Sequence, residues 1–252
     1  MKLKKVIEIL EKEFPKELAF EWDNVGLLAG EENAEIKTVL VTLDVTPAVV
    51  EEAKTTGAEL ILSHHPIMFS GVKQVTDATT DGQILREAIK NNINIYAAHT
   101  NCDIAKNGIN KYLADLFSLS QIKYLEENAP VRIGSLKKEM PAADFINEVK
   151  KKLSTPFVRV CGDTKSAVKK IAVGSGACAD YIEKARRAGA DLMVTADVKY
   201  HEMLEAREKG IIIVDAGHYP TEIVVMDIFH KQLLDSGLNI IKSGNEDVIK
   251  YI

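Results

Sequence analysis

Displaced by 132 positions, the sequence falls on itself: residues 30–63 lie against 162–195 without a gap. Gly30 meets Gly162, Lys37 meets Lys169, Val41 meets Val173, Glu51 meets Glu183 and Ala53 meets Ala185. Gly57-Ala58-Glu59-Leu60 meets Gly189-Ala190-Asp191-Leu192, and Ser63 meets Thr195. Beyond this the first copy carries about thirteen extra residues and the displacement falls to 119. Ala97-Ala98-His99 then faces Ala216-Gly217-His218, and Asp103 faces Glu222. Self-similarity constrains a fold before any element is assigned, because whatever the first half builds the second must build too.

Periodicity supplies the elements. Helices are expected at 2–13, 47–56, 82–91 and 106–117, with strands at 25–29, 38–43, 59–63 and 93–97. Residues 120–140 read as a connector with one strand, Val131 to Leu136. The pattern restarts with a helix at 142–153, strands at 157–161 and 170–174, a helix at 178–188 and a strand at 191–195. A helix at 199–209, a strand at 211–215 and a helix at 221–236 follow, and the tail from 238 adds a strand or two. Strands alternating with helices indicate a mainly parallel sheet covered by helices. The expected class is α/β, with two pseudo-equivalent halves (1–119 and 141–252, joined by 120–140) holding mainly parallel or mixed sheets in α/β/α layers.

Composition excludes several classes. Hydrophobic residues make up 46% and charged residues 27% of the chain, ordinary for a globular protein. A net charge of −5 argues against direct nucleic-acid contact. No apolar run approaches the length of a membrane span, and the N-terminus reads as an amphipathic helix, not a signal peptide. Three widely separated cysteines fit a reducing cytoplasm without disulfides.

The chemistry lies at strand ends. Leu60-Ile61-Leu62-Ser63 is an apolar run that meets His64, His65 and Pro66. Neighbours on a strand point to opposite faces, so the pair cannot chelate one ion from a regular strand. If the strand stops at Ser63, both rings are able to turn inward, towards different ions. The repeat adds His99 with Asp103 and His218 with Glu222, each just past a strand. If the halves face one another, four histidines and two carboxylates share a pocket. Mixed nitrogen and oxygen donors suit zinc, iron or manganese better than magnesium or calcium.

The chain resembles the Nif-three-like family, dinuclear-metal proteins named as GTP cyclohydrolase 1 type 2 homologues. The stretches that carry the resemblance are Glu21-Trp-Asp-Asn-Val-Gly-Leu, Leu43-Asp-Val-Thr and Ser63-His-His-Pro-Ile-Met-Phe, followed by Ala98-His-Thr-Asn-Cys-Asp. Thr195-Ala-Asp-Val-Lys-Tyr-His-Glu and Asp215-Ala-Gly-His-Tyr-Pro-Thr-Glu complete the set. The resemblance implies two divalent ions held by His64, His65, Asp103, His218 and Glu222, the glutamate bridging. It leaves His99 beside the metals as an acid/base or orienting group. It also implies a homohexameric ring built as a trimer of dimers. Residues 120–140 are too few for the extra domain of longer members. Cys102 stands where an aliphatic residue is expected.

The function expected is metal-dependent hydrolysis of a nucleotide-like substrate, either opening of a purine ring or phosphoester cleavage. The alternative is a metal-binding or regulatory protein. Weaker signals are the Gly174-Ser175-Gly176 turn (a phosphate cradle or a plain strand-to-helix turn), Trp22 (buried, or part of a base-stacking pocket), and Lys73, Lys199 and His201 as phosphate contacts. His230 is assigned nothing.

Overall fold

A computed structural model describes residues 1–244 and 246–250. The chain divides into two units: Met1–Ala105 with Ile223–Glu246, and Lys106–Glu222 with Asp247–Ile252.

In chain order the first unit opens with α1 (Leu3–Glu13), β1 (Gly26–Ala29), β2 (Thr38–Thr42) and α2 (Pro47–Thr56). It continues with β3 (Leu60–Ser63), α3 (Thr80–Lys90), β4 (Asn94–Ala97) and α4 (Thr100–Ile104). The second unit contains α5 (Ile109–Leu116), β5 (Ser120–Tyr124), β6 (Arg132–Pro141), α6 (Ala142–Lys152), β7 (Arg159–Cys161) and β8 (Ala167–Val173). It ends with α7 (Ile182–Arg187), β9 (Leu192–Thr195), α8 (Tyr200–Glu208), β10 (Ile212–Asp215) and α9 (His218–Glu222). The chain then returns to the first unit with α10 (Val225–Leu233) and β11 (Asn239–Lys242).

The first sheet runs β1-β4-β3-β2-β11. Its three central strands are buried on both faces, as their near-continuous apolar sequences require. Helices α2 and α3 cover one face through Val49, Val50, Ala53, Ile84 and Ala88. On α1 the buried residues Leu3, Val6 and Leu10 fall at helical spacing. The helix is tied to α10 by the Phe14–Phe229 ring pair, 5.9 Å between centroids, and by Gln232 donating to the Ile9 carbonyl. Local chemistry sets α2: Thr46 accepts from the Val49 amide, Pro47 occupies the first turn, and Gly57 ends the helix at φ 68°.

The second sheet runs β5-β6-β8-β9-β10-β7. Ala185, Val198 and Ala206 of its α7–α8 layer pack on Ala172, Met193 and Ile213. Phe117 and Phe145, from α5's end and α6, meet edge to face at 5.9 Å.

Four strands of each sheet correspond. The order β1-β4-β3-β2 repeats as β7-β10-β9-β8, with the first pair antiparallel and the other two parallel in both. Val39 opposite Leu60 becomes Ile171 opposite Leu192, the displacement of 132. Leu60 opposite Asn94 becomes Leu192 opposite Ile212, a displacement of 118. The letter match at 119 is therefore one residue out: His99 corresponds to Gly217, and His218 to Thr100, the first residue of α4. The sheet ladder fixes the register, and identical letters just beyond the strand do not.

Several element expectations shift. Residues 120–140, read as a connector with one strand, supply β5 and most of β6 to the second sheet. The helix expected at 106–117 starts at Ile109, after the separate short α4. The helix expected at 221–236 is α9 followed by α10. The tail strand β11 pairs with β2. Among the described residues no helix is long and apolar enough to cross a membrane.

Candidate metal-binding residues

Because β3 ends at Ser63, the backbone is released at the histidine pair. The His64 and His65 amides donate to the Thr42 and Leu43 carbonyls, at 3.2 and 3.0 Å, as the chain leaves the sheet. His64 is fully buried. Its Nδ1 lies 2.9 Å from the Ala98 carbonyl, which only accepts, so Nδ1 carries a proton. His65 Nδ1 lies 2.7 Å from Asp44 Oδ1.

His99 stands between β4 and α4, and its Nδ1 lies 3.0 Å from Asp23 Oδ1. The other Asp23 oxygen accepts from the Thr100 amide at 3.1 Å and the Thr100 hydroxyl at 2.5 Å. Burial works against ionising Asp23, but the hydrogen bonds from His99 and Thr100 prevail and hold it at about 2. The three imidazoles form one group, with centroids 5.1 Å (His64–His65), 5.1 Å (His64–His99) and 5.4 Å (His65–His99) apart. One nitrogen from each falls within 4.8 Å of the other two. Asp103 on α4 brings Oδ1 to 3.7 Å from His64 Nε2. Three imidazoles and a carboxylate fit a borderline divalent transition metal.

In the second unit His218 opens α9, and Glu222 follows one turn later on the same face. His218 lies between two carboxylates, Nδ1 2.6 Å from Asp197 Oδ2 and Nε2 2.8 Å from Glu222 Oε2. Burial of the ring favours the neutral form, but Glu222 and then Asp197 push His218 up to about 9. A metal at Nε2 would take the place of that proton, a chemically reasonable exchange for an imidazole facing a carboxylate.

Glu222 is nearly buried, and the Gly174-Ser175-Gly176 turn explains how it fits. Gly176 has φ 54°, and a Cβ there would lie 2.0 Å from Glu222 Oε1. Its amide donates to the Thr221 hydroxyl and its carbonyl accepts from the Ala196 amide and the Thr195 hydroxyl. The turn is shaped around a carboxylate of the chain itself.

The first unit thus brings together His64, His65, His99 and Asp103, and the second His218 and Glu222. Sequence reasoning missed Asp44, Asp23 and Asp197, which fix the orientation of His65, His99 and His218. All three lie inside stretches singled out above: Leu43-Asp-Val-Thr, Glu21-Trp-Asp-Asn and Thr195-Ala-Asp-Val. Lys73, Lys199 and His201 are exposed, Cys102 is buried, and Trp22 is 59% exposed, not a core residue.

Known proteins agree with this reading of the fold. The profile of the Duf34/NIF3 family (NGG1p interacting factor 3) matches residues 1–247. The chain belongs to this family. A relative from Clostridium perfringens, named GTP cyclohydrolase 1 type 2 homolog, is 37% identical with both chains covered completely. A Bacillus cereus protein related to NIF3 superposes with a TM-score of 0.94 at 26% identity, covering 100% of this chain and 99% of that one. Reduced HcgD from Methanocaldococcus jannaschii gives 0.87 at 32% identity, covering 97% and 98%. Membership of the NIF3 family upholds the resemblance read from the motifs.

Proposed function

We propose that this NIF3-family chain is a dinuclear metal-dependent hydrolase acting on a nucleotide-like substrate. One observation carries the proposal: each of the three histidines proposed as ligands has Nδ1 held by an oxygen, of Ala98 for His64, Asp44 for His65 and Asp197 for His218. Such pinning fixes the tautomer and aims Nε2, the usual preparation of a metal-ligating imidazole. The residues proposed to hold the ions are His64, His65 and Asp103 of the first unit and His218 and Glu222 of the second. Zinc, iron or manganese suits these donors. Such ions, when bound, supply a nucleophile by bringing the pKa of water towards neutrality.

The remaining work falls to the chain. His99, backed by Asp23, is proposed as the acid/base group, since its ring stands beside His64 and His65 and its Nδ1 partner is a carboxylate held ionised. The name of the Clostridium perfringens relative supports guanine nucleotides as the first substrates to try.

Protein purified without chelator should hold about two equivalents of transition metal per chain. It should also hydrolyse at least one member of a nucleotide and phosphoester panel, metal-dependently. Less than about half an equivalent after incubation with Zn²⁺, Mn²⁺ or Fe²⁺ overturns the reading. Full occupancy with no turnover makes the chain a metal-binding or regulatory protein. His99→Gln should keep the metal while turnover falls roughly 10²–10⁴-fold; loss of one equivalent would make His99 a ligand.

A further inference from the structure

Two large aromatic side chains of the first unit stand in the open beside the histidine group. Trp22 is 59% and Phe69 55% exposed. Their centroids are 6.1 Å apart, and each lies about as far from His99: 6.0 Å for Trp22 and 5.8 Å for Phe69. Phe20 backs the indole at 5.8 Å.

The topology explains the placement. Phe69 lies in the loop that follows β3. Trp22 lies in the loop that precedes β1, and because β1 runs antiparallel to β4, with Gly26 opposite Ala97, that loop sits at the edge where β4 ends. Ligands of open α/β sheets bind at this edge. Hydrogen bonds fix the loops that carry the rings. Asn24 Nδ2 donates to the Met68 carbonyl at 2.9 Å, joining the two loops. The Phe20 amide donates to the Thr100 hydroxyl at 3.1 Å, and Asp23 binds both His99 and Thr100. The loop bearing Phe69 is also where the first copy exceeds the second, so the repeat itself did not require this platform.

Rings carried on hydrogen-bonded loops yet left half in water are poor at stabilising a fold and good at stacking. The planes of Trp22 and Phe69 are tilted by 44° with centroids too close to admit a third ring between them, so the outward faces are the usable ones. We infer that Trp22 and Phe69 form a stacking subsite for the planar heteroaromatic ring of a small-molecule ligand, beside His99. This deepens the function proposed above and rests on it for the identity of the reaction, but not for the binding itself.

Trp22 is the sole tryptophan of the chain, so indole emission reports this subsite alone. Metal-free protein is titrated with guanosine and adenosine under 295 nm excitation, with ribose 5-phosphate as the ringless control. N-Acetyltryptophanamide corrects for collisional quenching. The nucleosides should quench saturably and ribose 5-phosphate should not. Phe69→Ala should weaken the apparent affinity roughly 5- to 100-fold, the usual cost of one lost base–aromatic stack, while Phe69→Tyr should retain it. Asp103→Ala should keep the quenching while losing about one metal equivalent and turnover, which separates this inference from the hydrolase reading. Linear quenching matching free indole, unchanged affinity in Phe69→Ala, or a concentration-dependent blue shift showing that a second copy covers Trp22 would each overturn the inference.

Discussion

The Glu222 carboxylate stands where a side chain at position 176 would begin. A methyl group at 176 would sit 2.0 Å from Oε1, on a backbone at positive φ. Gly176→Ala should therefore displace the carboxylate and cost about 1–3 kcal/mol of strain, read as weaker metal retention and a lower Tm. If Glu222 is the bridge that the family resemblance implies, Glu222→Ala should deplete both proposed ions and Asp103→Ala mainly one; equal losses by elemental analysis would refute that role. Asp44→Asn and Asp197→Asn leave the proposed ligands His65 and His218 in place but loosen their aim, so metal affinity should fall by about 10–100-fold with circular dichroism unchanged. The candidate ligands stood out because histidines and carboxylates just past apolar runs are conspicuous. The supporting aspartates were not, since Asp23 reaches His99 across 76 residues and nothing local links them. The slip of one residue at His99 and His218 has the same origin: letters align by identity, whereas strands align by hydrogen bonds.

Elements were legible where the signal was local. The cap at Thr46, the proline at 47 and the glycine at 57 define α2 to the residue. The five residues of α4 are too few to show a period, and Gly108 marks the start of α5 as its N-cap. In β6 the alternation fails at the exposed Lys137-Lys138-Glu139, which hid a long strand inside an expected connector. Helix α7 carries its own pH signature. The Glu183 carboxylate accepts from Arg186 and Arg187 and pairs with Lys209 at 3.2 Å. Hydrogen bonds from Arg186 and then Arg187 hold it well below the usual carboxylate range. A depressed folded-state pKa contributes stability that is present above the ordinary value of 4.5 and lost as pH falls below it. Melting curves of wild type and Glu183→Gln should thus differ at pH 7 and converge in acid, by a small margin because the network is exposed. A gap that persists or widens at low pH would contradict this.

The two units draw on the chain unequally, and this gives the whole molecule a testable asymmetry. The second unit takes the long stretch Lys106–Glu222, with only the short piece from Asp247 besides, and has its own buried cluster, from Val131 and Ile133 to Ile211 and Ile213. The first unit is incomplete without Ile223–Glu246. From that stretch come α10, whose Val225, Phe229 and Leu233 are buried, and β11, which pairs with β2 from Thr38 to Val41. Without it Phe14 loses its ring partner Phe229 and the buried side chains of α10 lose their place, at about 1.5–3 kcal/mol for each fully buried side chain, and β2 becomes a bare apolar edge prone to association. Total stabilities of about 5–15 kcal/mol do not survive several such losses. A fragment spanning 106–222 should therefore unfold cooperatively in urea. A fragment spanning 1–105 should be unfolded or aggregated. Joining Ala105 to Ile223 through a flexible Gly/Ser linker of about 15 residues should restore a cooperative transition to the first unit. If 1–105 folds unaided, α10 and β11 are accessory, and the division of the chain between the two units has no energetic basis.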